Sequence, residues 1–106
     1  MSYQSNVVIA ISKHAYMENV VLQSNLPKVL KDNLPEYKKY FGYYWFIYGF
    51  KWYEEYPEVE EVMDFLRNIS EDDFAFARLG EEYGDVEFEG DTGRFEIFVN
   101  QELCTP

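Results

Sequence analysis

The twelve residues from Asp85 to Glu96, DVEFEGDTGRFE, come closest in this chain to the residue types and spacing of a known chemistry. Counted from Asp85, acids fall at positions one, three, five and seven, a glycine at six, and Glu96 at twelve. A calcium-binding loop uses that spacing: oxygen ligands at alternate positions, a glycine for the sharp turn, and a bidentate glutamate to close the shell. Three features oppose it. Positions three and five are Glu87 and Glu89, whose extra methylene pushes the carboxylate too far out for a tight loop. Position eight is Thr92, where paired loops carry an apolar residue. The flanks alternate with period two, whereas a loop of this kind sits between two helices. No metal is expected here. Zinc is excluded by the same kind of count, since His14 and Cys104 are the only histidine and the only cysteine and stand far apart in sequence.

Catalytic patterns are equally scarce. Nucleophilic catalysis needs a nucleophile beside an oriented base, and only the Cys104–His14 pair offers both types. There is no G-x-S-x-G elbow. Gly80, Gly84, Gly90 and Gly93 lie in acid-rich turns rather than before a helix, where a phosphate would be repelled. Carboxylate pairs of the glycosidase kind are too numerous for any one to be singled out. A chain of 106 residues also has little room for a substrate cleft beside its core. The expectation is a binding protein without enzymatic activity or cofactor.

Charge is the most informative property. Residues 1–53 hold six Lys/Arg against three Asp/Glu, a balance of +3; residues 54–106 hold three Arg against 17 Asp/Glu, a balance of −14. The net charge of −11 opposes direct binding to nucleic acid or to anionic membranes. The acids recur at regular places: Glu58, Glu61 and Asp64 at helical spacing, Asp72 and Asp73 in a turn, Glu81 and Glu82 in another, and Asp85, Glu87 and Glu89 at strand spacing. Like charges so placed repel and cost stability. Solubility of a small domain needs a net charge of only about 2–8 in magnitude.

Two readings follow. The acids form a solvated face with no partner, or they meet a basic protein such as a nuclease or another DNA- or RNA-binding protein. Duplex DNA carries about one charge per 1.7 Å of axis, so a competitor for its binding groove must present closely spaced anions. Small acidic inhibitors and DNA mimics of the immunity, anti-restriction and anti-CRISPR types, from phage and mobile-element defence, are of this physical kind. An alternative uses aromatics. Phe, Tyr and Trp make up 20% of the chain, more than a small core readily hides with every hydroxyl paired. Tyr44, Tyr48, Trp52 and Tyr53 would then form a protein-protein or homodimer surface.

These residues need elements to position them. Val7 to Ser12 is apolar and β-branched and reads as a strand. Residues 13–24 fit a helical turn or a second strand. Asn25-Leu-Pro27 resembles a helix start, with Val29, Leu30, Leu34 and Tyr37 at helical spacing, Pro35 splitting or kinking the helix and Gly42 ending it. Tyr43 to Tyr53 has eight aromatics in eleven residues and no helical period, so it reads as a strand, with Gly49 marking a bulge or a close approach by another element. Pro57 opens the clearest helix, with Val59, Val62, Met63, Leu66 and Ile69 on one stripe. Phe74 to Leu79 alternates as a strand, and Val86 and Phe88 face Phe95, Ile97 and Val99 across a Gly90–Gly93 loop as a hairpin. The implied fold is a single α+β domain over residues 1–106. It is a mostly antiparallel sheet of about five strands, in the order β-α-β-α-β-β-β, with two helices packed on it. The apolar run Val7–Ile11 is too short for a signal-peptide core, and one cysteine allows no intrachain disulfide; both point to the cytoplasm.

Overall fold

A computed structural model describes residues 3–22 and 24–106. The uncharged segment SNVVIAI forms β1 (Ser5–Ile11), the middle strand of a five-stranded sheet. An apolar strand that alternates with nothing must be covered on both faces, which places it centrally. Around it lie β2 (Glu36–Lys38), β3 (Gly42–Phe50), β4 (Phe74–Gly80) and β5 (Val86–Gly90), in the order β2-β3-β1-β4-β5. Every neighbouring pair is antiparallel. The fold is therefore α+β with a mostly antiparallel sheet.

One face of the sheet carries Val7, Ile9 and Ile11 with Trp45, Ile47, Phe74 and Phe76. Helix α3 (Pro57–Arg67) lays Val59, Val62, Met63 and Leu66 onto it, and Ile69 packs just beyond the helix end. Each such side chain removed from water contributes about 1.5–3 kcal/mol. Helix α1 (Lys13–Tyr16) and a π-helical turn, Met17–Val21, cover the same face, so the ambiguous segment is helical, with Gln23 outside the described residues. Ser12 caps α1 by accepting from the Ala15 N–H at 3.1 Å. The short α2 (Lys28–Lys31) adds Val29 and Leu30, and the Leu30 carbonyl accepts from Trp45 Nε1 at 3.1 Å.

Two sequence expectations are corrected here. The helix expected to run on toward Gly42 stops at Lys31. Pro35 does not kink a helix but leads into β2, and Gly42 is the first residue of β3 rather than a helix cap. Proline disfavours helical geometry in the residue before it, and Tyr37 then pairs with Tyr43 at a ring separation of 4.9 Å. The second correction concerns the hairpin. β5 pairs with β4, in a register from Leu79↔Val86 to Ala75↔Gly90, and not with residues 95–99. The chain instead crosses to the second face of the sheet. There Phe95 and Ile97 pack on Val8, Ala10, Tyr44, Ala75 and Ala77. The three alanines leave the space that Phe95 fills, and the Tyr44 hydroxyl donates to the Phe95 carbonyl at 2.6 Å. β6 (Phe98–Asn100) and β7 (Glu102–Cys104) then form a separate two-stranded ribbon. Alternation at Phe95, Ile97 and Val99 fits either arrangement; the bare apolar face decides it.

The bulge at Gly49 is present. Ser5 pairs with Phe50 but Val7 with Ile47, so β3 spends one more residue than β1 there. Gly49 takes φ +64°, which glycine adopts without strain, and its N–H donates to Asn6 Oδ1 at 3.0 Å. Among the described residues no helix is long and apolar enough to cross a membrane.

The crossing of Phe95 predicts a specific loss. Phe95→Ala should lower stability by about 3–5 kcal/mol, as emptying a fully buried aromatic site does. Urea unfolding measures this; a midpoint equal to the wild type would mean that Phe95 is not packed on the second face.

Candidate functional site

Arg78 is the one charge inside the apolar strand FAFARLG, and it is buried. It stands opposite Val7 on one side and Glu87 on the other, on the sheet face that α3 covers. Its guanidinium forks onto Asp85, with Nη2 to Oδ1 at 2.6 Å and Nη1 to Oδ2 at 3.1 Å. Nε donates to Glu87 at 2.7 Å and Nη1 to Ser5 Oγ at 3.0 Å. The Tyr3 hydroxyl donates to Asp85 at 2.5 Å and accepts from the Glu82 N–H at 3.0 Å. Gly80 makes this convergence possible, because any side chain there would run into the Asp85 carboxylate and the Tyr3 hydroxyl. The Arg78 hydrogen bonds, and next the Tyr3 one, hold the Asp85 carboxyl below its ordinary range.

The other two arginines of the acidic half do similar work. Arg67, in the last turn of α3, donates to Glu89 through Nε at 3.1 Å and Nη2 at 2.7 Å, and Nη2 also reaches Glu54 at 3.1 Å. A cation there also suits the helix dipole. Arg94 reaches Asp73 at 3.2 Å and the Asp72 carbonyl, while Asp73 accepts from Ser12 at 2.9 Å. Each of the three arginines thus ties together segments distant in sequence.

This sorts the acidic candidates. Asp73, Asp85, Glu87 and Glu89 are paired inward with arginine. Glu61 accepts from the Lys28 N–H at 2.9 Å and Glu81 from the Gln4 N–H at 3.1 Å. Glu58, Asp64, Asp72 and Glu82 are exposed, and their side chains have no partner among the described residues. The ten do not form one cluster. Glu61 and Asp64 look toward Pro27 and Lys31 of the α2 region, whereas Arg67 turns the end of the same helix toward Glu89 of β5. Asp72–Asp73 and Glu81–Glu82 sit at opposite ends of β4, about 25 Å apart by strand rise. The ten are strung as separate groups, an acidic belt rather than one patch, along α3, the turns at both ends of β4, and β5. Sequence reasoning missed Tyr3, Ser5 and Arg78; the signal was a lone arginine in an otherwise apolar strand.

The aromatic candidates separate as sharply. Tyr44 and Trp52 are buried, at 0% and 6% exposure. Burial raises the Tyr44 hydroxyl above its ordinary range, so it stays a donor. Tyr53 is half-buried and donates to the Tyr3 carbonyl at 3.2 Å. Only Tyr48 of the four is exposed. Among the described residues no group of three His, Cys, Asp or Glu side chains is arranged to hold a metal ion. No family model, curated protein or solved structure matches this chain.

The Arg78 network carries a pH signature. Asp85 has a depressed folded pKa, so its stabilisation is complete above about pH 4, the unfolded value, and is lost as pH falls further. Arg78→Met should cost about 2 kcal/mol at pH 7, less than a fully buried pair because the Asp85 side chain is 32% exposed. Melts at pH 7 and pH 3 should show the variant losing less than the wild type over that range. Parallel losses would mean the pair contributes nothing.

Proposed function

We propose that this chain is a small non-enzymatic binding protein whose acidic belt occupies the basic surface of a nucleic-acid-handling protein, as an inhibitor or DNA mimic does. The observation that supports this best is how the acidic half uses its cations. Solubility needs charge but not order. Here Arg67, Arg78 and Arg94 are all committed to fixing α3, the turn before β4 and the β5 edge relative to one another. Glu58, Asp64, Asp72 and Glu82 remain exposed on that braced frame without cations of their own. Anions held at fixed spacing suit a rigid basic groove, and complementary potential speeds the encounter. Immunity, anti-restriction and anti-CRISPR proteins are the functional types that fit, with a nuclease or another DNA- or RNA-binding protein as the target. The aromatic alternative is weaker, because only Tyr48 among its four residues is exposed.

The test is capture from source-cell lysate at low and at about 1 M salt, beside a Glu58→Gln, Glu61→Gln, Asp64→Asn variant. The glutamine at 61 keeps an oxygen for the Lys28 N–H. A basic protein should be retained at low salt only, be lost by the variant, and, once purified, release its nucleic acid when this chain is added. Retention indifferent to both salt and the variant would overturn the reading.

A further inference from the structure

The two edges of the sheet are not equally closed. β2, at one edge, is three residues long, follows Pro35 and carries Lys38, all features that discourage further pairing. β5, at the other edge, is five residues long and has neither proline nor lysine. Hydrogen-bond parity shows what it leaves open. The Gly80 N–H donates to the Asp85 carbonyl and the Asp91 N–H to the Phe74 carbonyl, both at 2.8 Å. Residues 85, 87, 89 and 91 therefore turn their backbone groups toward β4, and Val86, Phe88 and Gly90 turn theirs outward. The Val86 N–H is taken up by the Gly84 carbonyl at 3.0 Å. The Val86 carbonyl and both backbone groups of Phe88 and of Gly90 have no partner among the described residues.

We infer that β5 is a docking edge that takes an extended segment of a partner protein as a sixth strand, alternating apolar and Lys/Arg side chains; this rests on the partner being basic, as proposed above. The side chains along the edge specify the alternation. Val86 and Phe88 lie on the second face of the sheet, and Phe88 is 49% exposed. Glu87 and Glu89 lie on the opposite face. Around the strand stand Glu71, Glu81, Glu82, Asp85, Glu87 and Glu89 against Arg67 and Arg78, an acidic excess that a basic strand complements. Clefts lie at both ends to receive its side chains. One of about 510 Å³ borders Phe88, Glu89 and Gly90 and is floored by Ile69 and Phe74. The other, about 780 Å³, opens between the Glu81–Gly84 turn and the β6–β7 ribbon, against Leu79, Val86 and Val99. A second copy of this chain is the poorer occupant. Antiparallel pairing of two β5 strands about Phe88 sets Glu87 opposite the other Glu89, a destabilising like-charge contact.

The experiment is a titration of isotopically labelled protein with a short capped peptide alternating Lys and Val, read by amide shifts and hydrogen exchange. Residues 86–90 should shift saturably, and exchange at the Phe88 and Gly90 amides should slow by about tenfold or more. A peptide alternating Glu and Val should do neither. Phe88→Pro removes an outward N–H that β4 does not use, and should weaken binding at least about tenfold while shifts outside β5 stay in place. A Lys/Val peptide N-methylated along its pairing edge, used with the wild-type protein, should also fail to bind. Equal binding by the Glu/Val or the N-methylated peptide, or no shift at millimolar peptide, would overturn the docking edge. Shifts confined to α3 and the Glu81–Glu82 turn would overturn it too, and would leave the acidic-belt reading intact.

Discussion

A strand with no charged residue, buried on both faces, imposes the main demand on this molecule. β1 cannot present either side to water, so β3 and β4 flank it in the sheet and further segments cover both of its faces. α3 supplies one cover with a stripe at helical spacing. The other comes from a stretch with no regular structure, where Phe95 and Ile97 are set down on a floor of Ala10, Ala75 and Ala77. The small residues of the floor and the large ones of the lid are complementary in volume, as a densely packed interior requires. The fold thus uses two different solutions on its two sides, a helix where the sheet surface is bulky and an irregular aromatic segment where it is flat.

Charge is organised by the same logic. A belt of carboxylates would push α3, the turns and β5 apart, and three arginines placed at the junctions hold them together. Arg78 does this from within the sheet, where its desolvation is offset by four hydrogen-bond contacts to Asp85, Glu87 and Ser5. Arg67 and Arg94 do it from the surface, where such pairs contribute less to stability. Of the ten acids of the belt, the four paired with arginine lie on or beside the sheet, and the uncompensated Glu58, Asp64, Asp72 and Glu82 lie outward on α3 and the turns.

Much of this was legible in the sequence. The stripe Val59–Val62–Met63–Leu66 could only be one face of a helix, and Gly49 in an aromatic run marked a bulge or a close approach, of which the register between β1 and β3 selects the bulge. What failed was the choice of partners. Tyr37 fits a helical period counted from Val29 and a strand period counted from Tyr43, and Pro35 settles the matter only through its effect on the residue before it. Alternation at Phe95 and Ile97 says that one side is buried without saying against what. The same limit applied to the site. Spacing put Asp85, Glu87 and Glu89 on one side of a strand, but their partners Arg67 and Arg78 come from a helix and from the neighbouring strand, and periodicity within one segment cannot supply a contact between two.

The irregular lid also shapes how the chain reaches its native state. Val8 and Phe95 are distant in sequence yet share a core, so the second face is sealed only by a contact of very long loop length. A chain that has already assembled β3, β1 and β4 under α3 therefore exposes a flat apolar surface of Val8, Tyr44, Ala10, Ala75 and Ala77 until that closure occurs. Intermediates of this shape associate with one another readily. A net charge of −11 would give such species mutual repulsion during that interval, a use of the acidity that needs no partner.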